Sequence, residues 1–207
     1  MNIGFYGDSF CSEERSPHSV LKGYDTYITK IKNKLDANIV HLGQGGSSIW
    51  DVALKQFDPD NAPDVSIFCW TDSSRLYNNK IRNLTYGSVT NKKLKTLKFS
   101  EIVHRQTVRA AKMYYSHLYD EDKHNLEYKA FLYYFDKVIL PLADSKIIHL
   151  FCFENTYTWC TGVSIDTPLV TFADDNPYAA NHINGNKANT QVANLILQKI
   201  FEDEKSI

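Results

Sequence analysis

Hydrophobic positions fall into two kinds of block along this chain. Short continuous apolar runs lie at Ile3 to Tyr6, Asn38 to Leu42, Val65 to Trp70, Lys146 to Phe153 and Leu169 to Phe172. Runs of this length, closed by Gly, Asp, Asn or Ser, predict β-strands, and one that is apolar throughout, such as Val65 to Trp70, predicts a central strand buried on both faces. The second kind repeats with helical spacing. Tyr27, Ile28, Ile31 and Leu35 share one face of a helix over Tyr24 to Leu35, with lysines on the other. Ile49, Val52, Ala53 and Phe57 form the stripe of a helix over Ile49 to Phe57, opened by Ser48 and Asp51 at capping-box spacing. Two longer helices are expected over Ser100 to Tyr119 and Leu126 to Leu140, with Asp120-Glu121-Asp122 between them and Pro141 as the stop. A final helix, about Asn184 to Phe201, buries Ala188, Val192, Leu195, Ile196 and Ile200. Strands alternating with helices predict an α/β fold with about five parallel strands. The stretch over about 76–143 is long for a simple crossover and reads as an inserted helical cap or side layer within one domain, 1–207.

Composition narrows the picture. The 207 residues suffice for one domain with a substantial core. A formal net charge of -1 argues against a dedicated nucleic-acid binder. No apolar run approaches the roughly 20 residues that span a bilayer. Asp8 interrupts what would be the apolar region of a signal peptide, so a cytoplasmic protein without membrane partners is expected. The four cysteines, Cys11, Cys69, Cys152 and Cys160, form no C-x-x-C pair. Cys69 and Cys152 lie in strand-like runs and read as buried thiols in a reducing compartment. No His/Cys/Asp spacing suggests a metal, and no cofactor is expected.

Candidate chemistry gathers at the ends of the predicted strands, where open α/β sheets place their ligands. Gly7-Asp8-Ser9 ends the first strand abruptly. Ser9 there is either a helix cap or a nucleophile. Gly43-Gln44-Gly45-Gly46-Ser47-Ser48 joins the second strand to a helix but matches neither dinucleotide nor P-loop spacing. Its free amides suit an anion, including a transient oxyanion. Thr71-Asp72-Ser73-Ser74-Arg75 closes the third strand, and His182 precedes the last helix with Asp174 and Asp175 upstream. The other histidines, His18, His41, His104, His117, His124 and His149, read as surface or satisfied core residues. Tyr157 and Trp159 suit packing better than sugar stacking. Lys92, Lys93, Lys95 and Lys98 read as a solvated face.

In their order and placement, Gly7-Asp8-Ser9, the glycine block and Asp175 followed by Asn181-His182 resemble the SGNH, or GDSL-type, serine hydrolase superfamily over the whole chain. The resemblance implies a flavodoxin-like three-layer α/β/α fold and a metal-free esterase. Ser9 would be the nucleophile, His182 the general base and Asp175, or Asp174, the residue that orients it. The backbone N–H groups of Ser9 and Gly46 would bind the oxyanion. Two departures stand out. The position three residues before His182, where the family carries its acid, is Ala179. The family's oxyanion asparagine falls in the stretch Trp70-Thr71-Asp72-Ser73, which has none, and an ionised Asp72 cannot donate a hydrogen bond. Thr71 and Arg75 match a Thr-x-x-x-Arg pattern of related sequences, many of them from bacteriophage genomes, which implies a phage-like origin and, if the chain is of phage origin, association with a virion. Arg75 is expected to neutralise Asp72, and Arg75, Thr71 or Ser73 to supply the missing donor. An Asp72–Arg75 pair that only pins the loop is the alternative. The expected activity is removal of a small acyl group, acetyl above all, from a glycan or similar polar ester. The rival is a non-catalytic structural or glycan-binding module on the same fold.

Overall fold

The apolar runs pair into one parallel sheet. Its strands are β1 (Asn2–Gly7), β2 (Asn38–His41), β3 (Val65–Trp70), β4 (Lys146–Phe151) and β5 (Val163–Ile165), in the order β2-β1-β3-β4-β5. This computed structural model describes residues 1–12, 25–77, 85, 102–155, 157–173, 182–183 and 185–202. All six residues of β3 are buried, which is why its sequence is apolar without interruption. Its side chains still alternate between faces. Val65, Ile67 and Cys69 join one core, and Phe68 and Trp70 join the other.

Helices cover both faces, so the architecture is three-layered. α1 (Tyr27–Leu35) and α5 (Gly185–Phe201) pack on the first core through Tyr27, Ile28, Ile31, Val192 and Ile196. The second core takes α2 (Ile49–Asp51), the wider π turn Val52–Gln56 that continues it, and α4 (Glu121–Tyr134) through Tyr128, Phe131 and Leu132. Ahead of α4, α3 (Ile102–His117) contributes Ala111 and Tyr115 to a small separate cluster with Leu76 and Tyr119. Within the stretch expected as an insertion, α4 therefore lies against the sheet, and α3 packs away from it.

The strand order is that of flavodoxin-like doubly wound sheets, with its switch point between β1 and β3. The chain leaves β1 toward one edge and returns through β3 toward the other. Sheets of this kind place ligands outside the carboxyl ends of the strands at the switch point, and Asp8-Ser9 and Thr71 follow the ends of β1 and β3.

Several boundaries differ from the periodicity. The fifth strand is Val163–Ile165, not Leu169 to Phe172, which forms a 3-10 turn after Pro168. Val163 and Ile165 pair with Ile148 and Leu150, and three residues are too few to register as an apolar run. Helix α4 begins at Glu121 because the Asp120 carboxylate accepts the Lys123 N–H at 2.7 Å. The Ser48 amide and hydroxyl both donate to the Asp51 carboxylate at 2.9 Å, so the expected capping pair is present. Asp174, Asp175, Asn181 and the lysine stretch Lys92 to Lys98 lie outside the described residues.

A buried histidine ties β4 to the loop before β5. His149 is fully buried between Trp70 and Trp159, stacked on Trp159 at 3.7 Å between ring centroids. Its Nδ1 accepts the Trp70 indole N–H at 3.1 Å, which leaves Nε2 to donate to the Thr161 carbonyl at 2.9 Å. Both ring nitrogens are thus satisfied in the neutral form. Burial pushes the imidazole down to about 3, against the opposing pull of the Thr161 carbonyl and the Asp136 carboxylate. The unfolded chain takes up a proton there near pH 6.5, and the folded chain resists it until about pH 3. Stability should therefore be full above about pH 6.5 and fall as pH drops through that window. Urea unfolding at pH 7 and pH 4.5 checks this. His149→Phe should lose much less stability between the two than the parent chain, and an equal loss in both would assign the acid sensitivity elsewhere.

Candidate active site

The turn after β1 is held by its own sequence. Gly7 takes φ +142, a conformation side chains rarely adopt, and a Cβ there would collide with the Cys69 carbonyl. Asp8 then caps the 3-10 turn Ser9–Cys11, accepting the Phe10 N–H at 2.9 Å. Gly43 passes so close to Cys11 that a Cβ would overlap its sulfur, and the Gly43 and Gln44 amides donate to the Cys11 and Gly7 carbonyls at 3.0 Å. The glycine block is thereby stitched to the serine turn.

The Asp8 carboxylate is fully buried and gathers donors from three strand ends. Oδ1 accepts from the Phe10 amide and, at 3.4 Å, from the Cys152 thiol beyond β4. Oδ2 accepts from the Thr71 hydroxyl at 2.9 Å and forms an ion pair with Arg75 Nη2 at 2.7 Å. Arg75 Nη1 also donates to the Ser47 carbonyl at 3.1 Å, which carries the network into the glycine block. This corrects the expected partner of Arg75, which is Asp8 and not Asp72. Asp72 instead accepts the Ser74 N–H at 2.5 Å, a local turn bond. The buried acid attracts the guanidinium because it has no water to solvate it. The Thr71 hydroxyl is likewise spent on Asp8, and the Ser73 hydroxyl donates to Asn125 at 2.8 Å. Arg75 Nε is buried without a partner among the described residues.

Ser9 and His182 meet across 173 positions of sequence. Ser9 Oγ lies 2.8 Å from His182 Nε2. His182 has a left-handed backbone, φ 57, and its ring rests on Phe10 at 4.9 Å between centroids. The next residue, Ile183, is fully buried and bridges Ala173. Asn189, wholly buried on α5, donates to the Ile183 carbonyl at 3.1 Å and accepts the Tyr27 N–H at 2.8 Å. It thus fixes the chain beside His182 to the start of α1. Gln56 does the same for the serine turn, exchanging bonds of 2.7 and 3.0 Å with the Gly7 backbone and donating to Ser47 Oγ at 2.8 Å. Asn189 and Gln56 were not singled out from sequence. The signal for Asn189 was a polar residue three positions before Val192, inside the buried stripe of α5.

Of the expected site residues, Ser9 and His182 are brought together, and Thr71 and Arg75 converge on Asp8. Gly46 lies in the adjoining block with φ +79, and Asp175 lies outside the described residues. Among the described residues there is no cluster of three or more His, Cys, Asp or Glu side chains able to hold a metal ion. None of the described helices is long and apolar enough to cross a membrane. Cys11, Cys69 and Cys152 are buried free thiols, and Cys160 is exposed.

No family model matches the chain, and no curated protein matches it. Among solved structures, it is similar to a mutant acetyl-xylooligosaccharide esterase from Geobacillus, at 11% identity and a TM-score of 0.45, over 100% of this chain and 96% of the other. It is also similar to a carbohydrate esterase described as having divergent catalytic and non-catalytic binding functions, at 12% identity and a TM-score of 0.46, over 99% and 69% of the two chains. An acetyl xylan esterase shows 14% identity and a TM-score of 0.31 over 96% and 72%.

The Asp8 network generates a stability prediction. Removing one member of a buried ion pair strands the other and typically destabilises by about 3–5 kcal/mol. Asp8→Ala should fall in that range by denaturant unfolding, and Thr71→Val, which removes one hydrogen bond to a charged group, by about 1.5–3 kcal/mol. Asp72→Asn should stay within about 0.5 kcal/mol of the parent, as exposed substitutions usually do. An Asp8→Ala chain as stable as the parent would show that the pair contributes nothing to folding.

Proposed function

We propose that this chain is a serine ester hydrolase that removes a small acyl group, acetyl in the first instance, from a carbohydrate or similar polar alcohol. The observation that carries the reading is the 2.8 Å contact between Ser9 Oγ and His182 Nε2 at the switch point of the sheet. That contact is of the length a nucleophile and its base require. In the proposed reaction His182 Nε2 accepts the Ser9 proton as Oγ attacks the acyl carbonyl. The amides of Ser9 and Gly46 stabilise the oxyanion. The alcohol leaves with the proton from His182, and a water molecule then repeats the sequence to release the acid. Nε2 can accept only if Nδ1 carries the ring proton, and Asp175, or Asp174, is the proposed partner there. No cofactor or metal enters this scheme. A cytoplasmic location, or a virion if the chain is of phage origin, completes the proposal.

One observation favours the rival reading, a glycan-binding module without catalysis. Asp72 stands where an asparagine donor would be, and the hydroxyls of Thr71 and Ser73 are directed at protein acceptors. The proposed enzyme therefore relies on backbone amides.

A fluorophosphonate probe separates the two readings. Labelling of Ser9 that disappears in His182→Ala is expected, and absence of labelling in the parent chain would support the binding module. On a p-nitrophenyl acetate assay, Ser9→Ala, His182→Ala and the double variant should each lose about a thousandfold or more in kcat, by similar factors, because the two residues act as one unit. Losses that multiply in the double variant would argue against the shared mechanism.

A further inference from the structure

Beside the Ser9–His182 pair lies a second feature that the proposed reaction does not use. A cleft of about 400 Å³ opens between the carboxyl ends of β3 and β4 and the first turns of α4. It adjoins the serine turn in two ways. Thr71, which lines it, donates to Asp8, the residue before Ser9. Phe153, which also lines it, packs edge-on against Phe10 at 6.0 Å, and Phe10 in turn contacts the His182 ring. Phe10 thus touches both a wall of the cleft and the histidine of the pair.

Two properties of its wall point to a ligand. Tyr128 lines the cleft and is 6% exposed, and no described residue hydrogen-bonds its hydroxyl. Burial raises its pKa far above the ordinary tyrosine value, and the nearby Cys152, Asp72 and Asp8 reinforce the shift, so it stays a protonated donor. A buried phenol usually finds a partner, and one that does not is available to a bound group. Among the described residues, the charged groups of the wall are Asp72, Glu121 and Glu154 against the ammonium of Lys129. The positive end of α4 offsets only part of that excess, at about half a charge.

We propose that this cleft receives the alcohol portion of the substrate, and that this portion is a polyhydroxylated group bearing a protonated amine, an amino sugar with its amine free. Tyr128 hydrogen-bonds a hydroxyl of the sugar, and the three carboxylates favour the ammonium and repel anionic sugars. The assignment of the cleft to the leaving alcohol rests on the esterase reading. The assignment of the ligand class does not. Aromatic walls with a few placed polar groups are the usual make-up of small-ligand sites.

Calorimetric binding of three neutral-pH probes tests the ligand class without any ester chemistry: a glucosamine trimer, xylotriose and a galacturonic acid trimer. The glucosamine trimer should bind tightest, with the galacturonic acid trimer at least tenfold weaker, since like-charge juxtaposition disfavours a partner strongly. Tyr128→Phe should weaken glucosamine binding by about tenfold, the size of one hydrogen bond. It should leave thermal unfolding unchanged, because that hydroxyl bonds nothing within the described fold. Glu154→Gln should narrow the preference for glucosamine over xylotriose. Equal binding of the three sugars, binding of none, or a Tyr128→Phe chain that binds like the parent would overturn the proposal. Fluorophosphonate labelling of the same samples separates the two readings. A chain that binds glucosamine but is never labelled keeps the cleft and loses the esterase, and a labelled chain with an indifferent cleft does the reverse.

Discussion

A single buried carboxylate organises the carboxyl edge of this sheet. Asp8 has no exposure to water, so every lone pair it leaves unused would be a loss. It is met by the Phe10 amide within its own turn, by Thr71 and Arg75 after β3 and by Cys152 after β4. Arg75 in turn grips the Ser47 carbonyl in the glycine block. Four segments that are far apart in sequence are thereby held to one point, and Ser9 is the residue next to it. A rigid frame of this kind suits a site whose chemistry depends on placement. It also explains why Thr71 and Arg75 sit where they do, turned toward Asp8.

The opposite side of the sheet uses aromatic packing for a similar purpose. Phe68, Trp70, His149 and Trp159 lie in near-parallel stacks across β3, β4 and the following loop. That loop is fastened from outside by Asp136, which is fully buried and accepts the Cys160 and Thr161 amides at 3.1 and 2.8 Å. Burial alone would raise its pKa, but these amides, with the Thr161 and Tyr157 hydroxyls, hold it below the ordinary carboxylate value. The short β5 follows at once. The same loop therefore completes the sheet edge and closes the second core, and Tyr157 and Trp159 serve packing there.

The elements with strong periodicity were legible from the chain alone. Val65 to Trp70 reads as a doubly buried strand because no polar face interrupts it, and Ile28, Ile31, Val192 and Ile196 mark the helix faces that meet it. Ser9 was legible as a candidate because it stands at the end of an apolar block, where glycine and turn residues gather, and His182 because it precedes the last helix with acids upstream. Boundaries were less so. The start of α4 depends on one side-chain cap at Asp120, and β5 is too short to generate a pattern. Leu169 to Phe172 has the composition of a strand but forms a 3-10 turn that Pro168 opens.

Which partner each polar group takes was beyond the sequence. Arg75 lies three residues from Asp72 and far along the chain from Asp8, and local spacing points to the wrong acid. The choice is made by burial: Asp72 reaches solvent and satisfies itself on the Ser74 amide, whereas Asp8 is sealed under the sheet edge and must be matched by a cation. Asn189 and Gln56 show the same limit, since their roles arise only when α5 and the turn after α2 come within hydrogen-bond reach of backbone from other segments. The pattern of apolar positions determined the layers and the places where chemistry could stand. The tertiary structure alone decided which buried charges and amides pair, because those energies depend on distance and desolvation that no one-dimensional spacing contains.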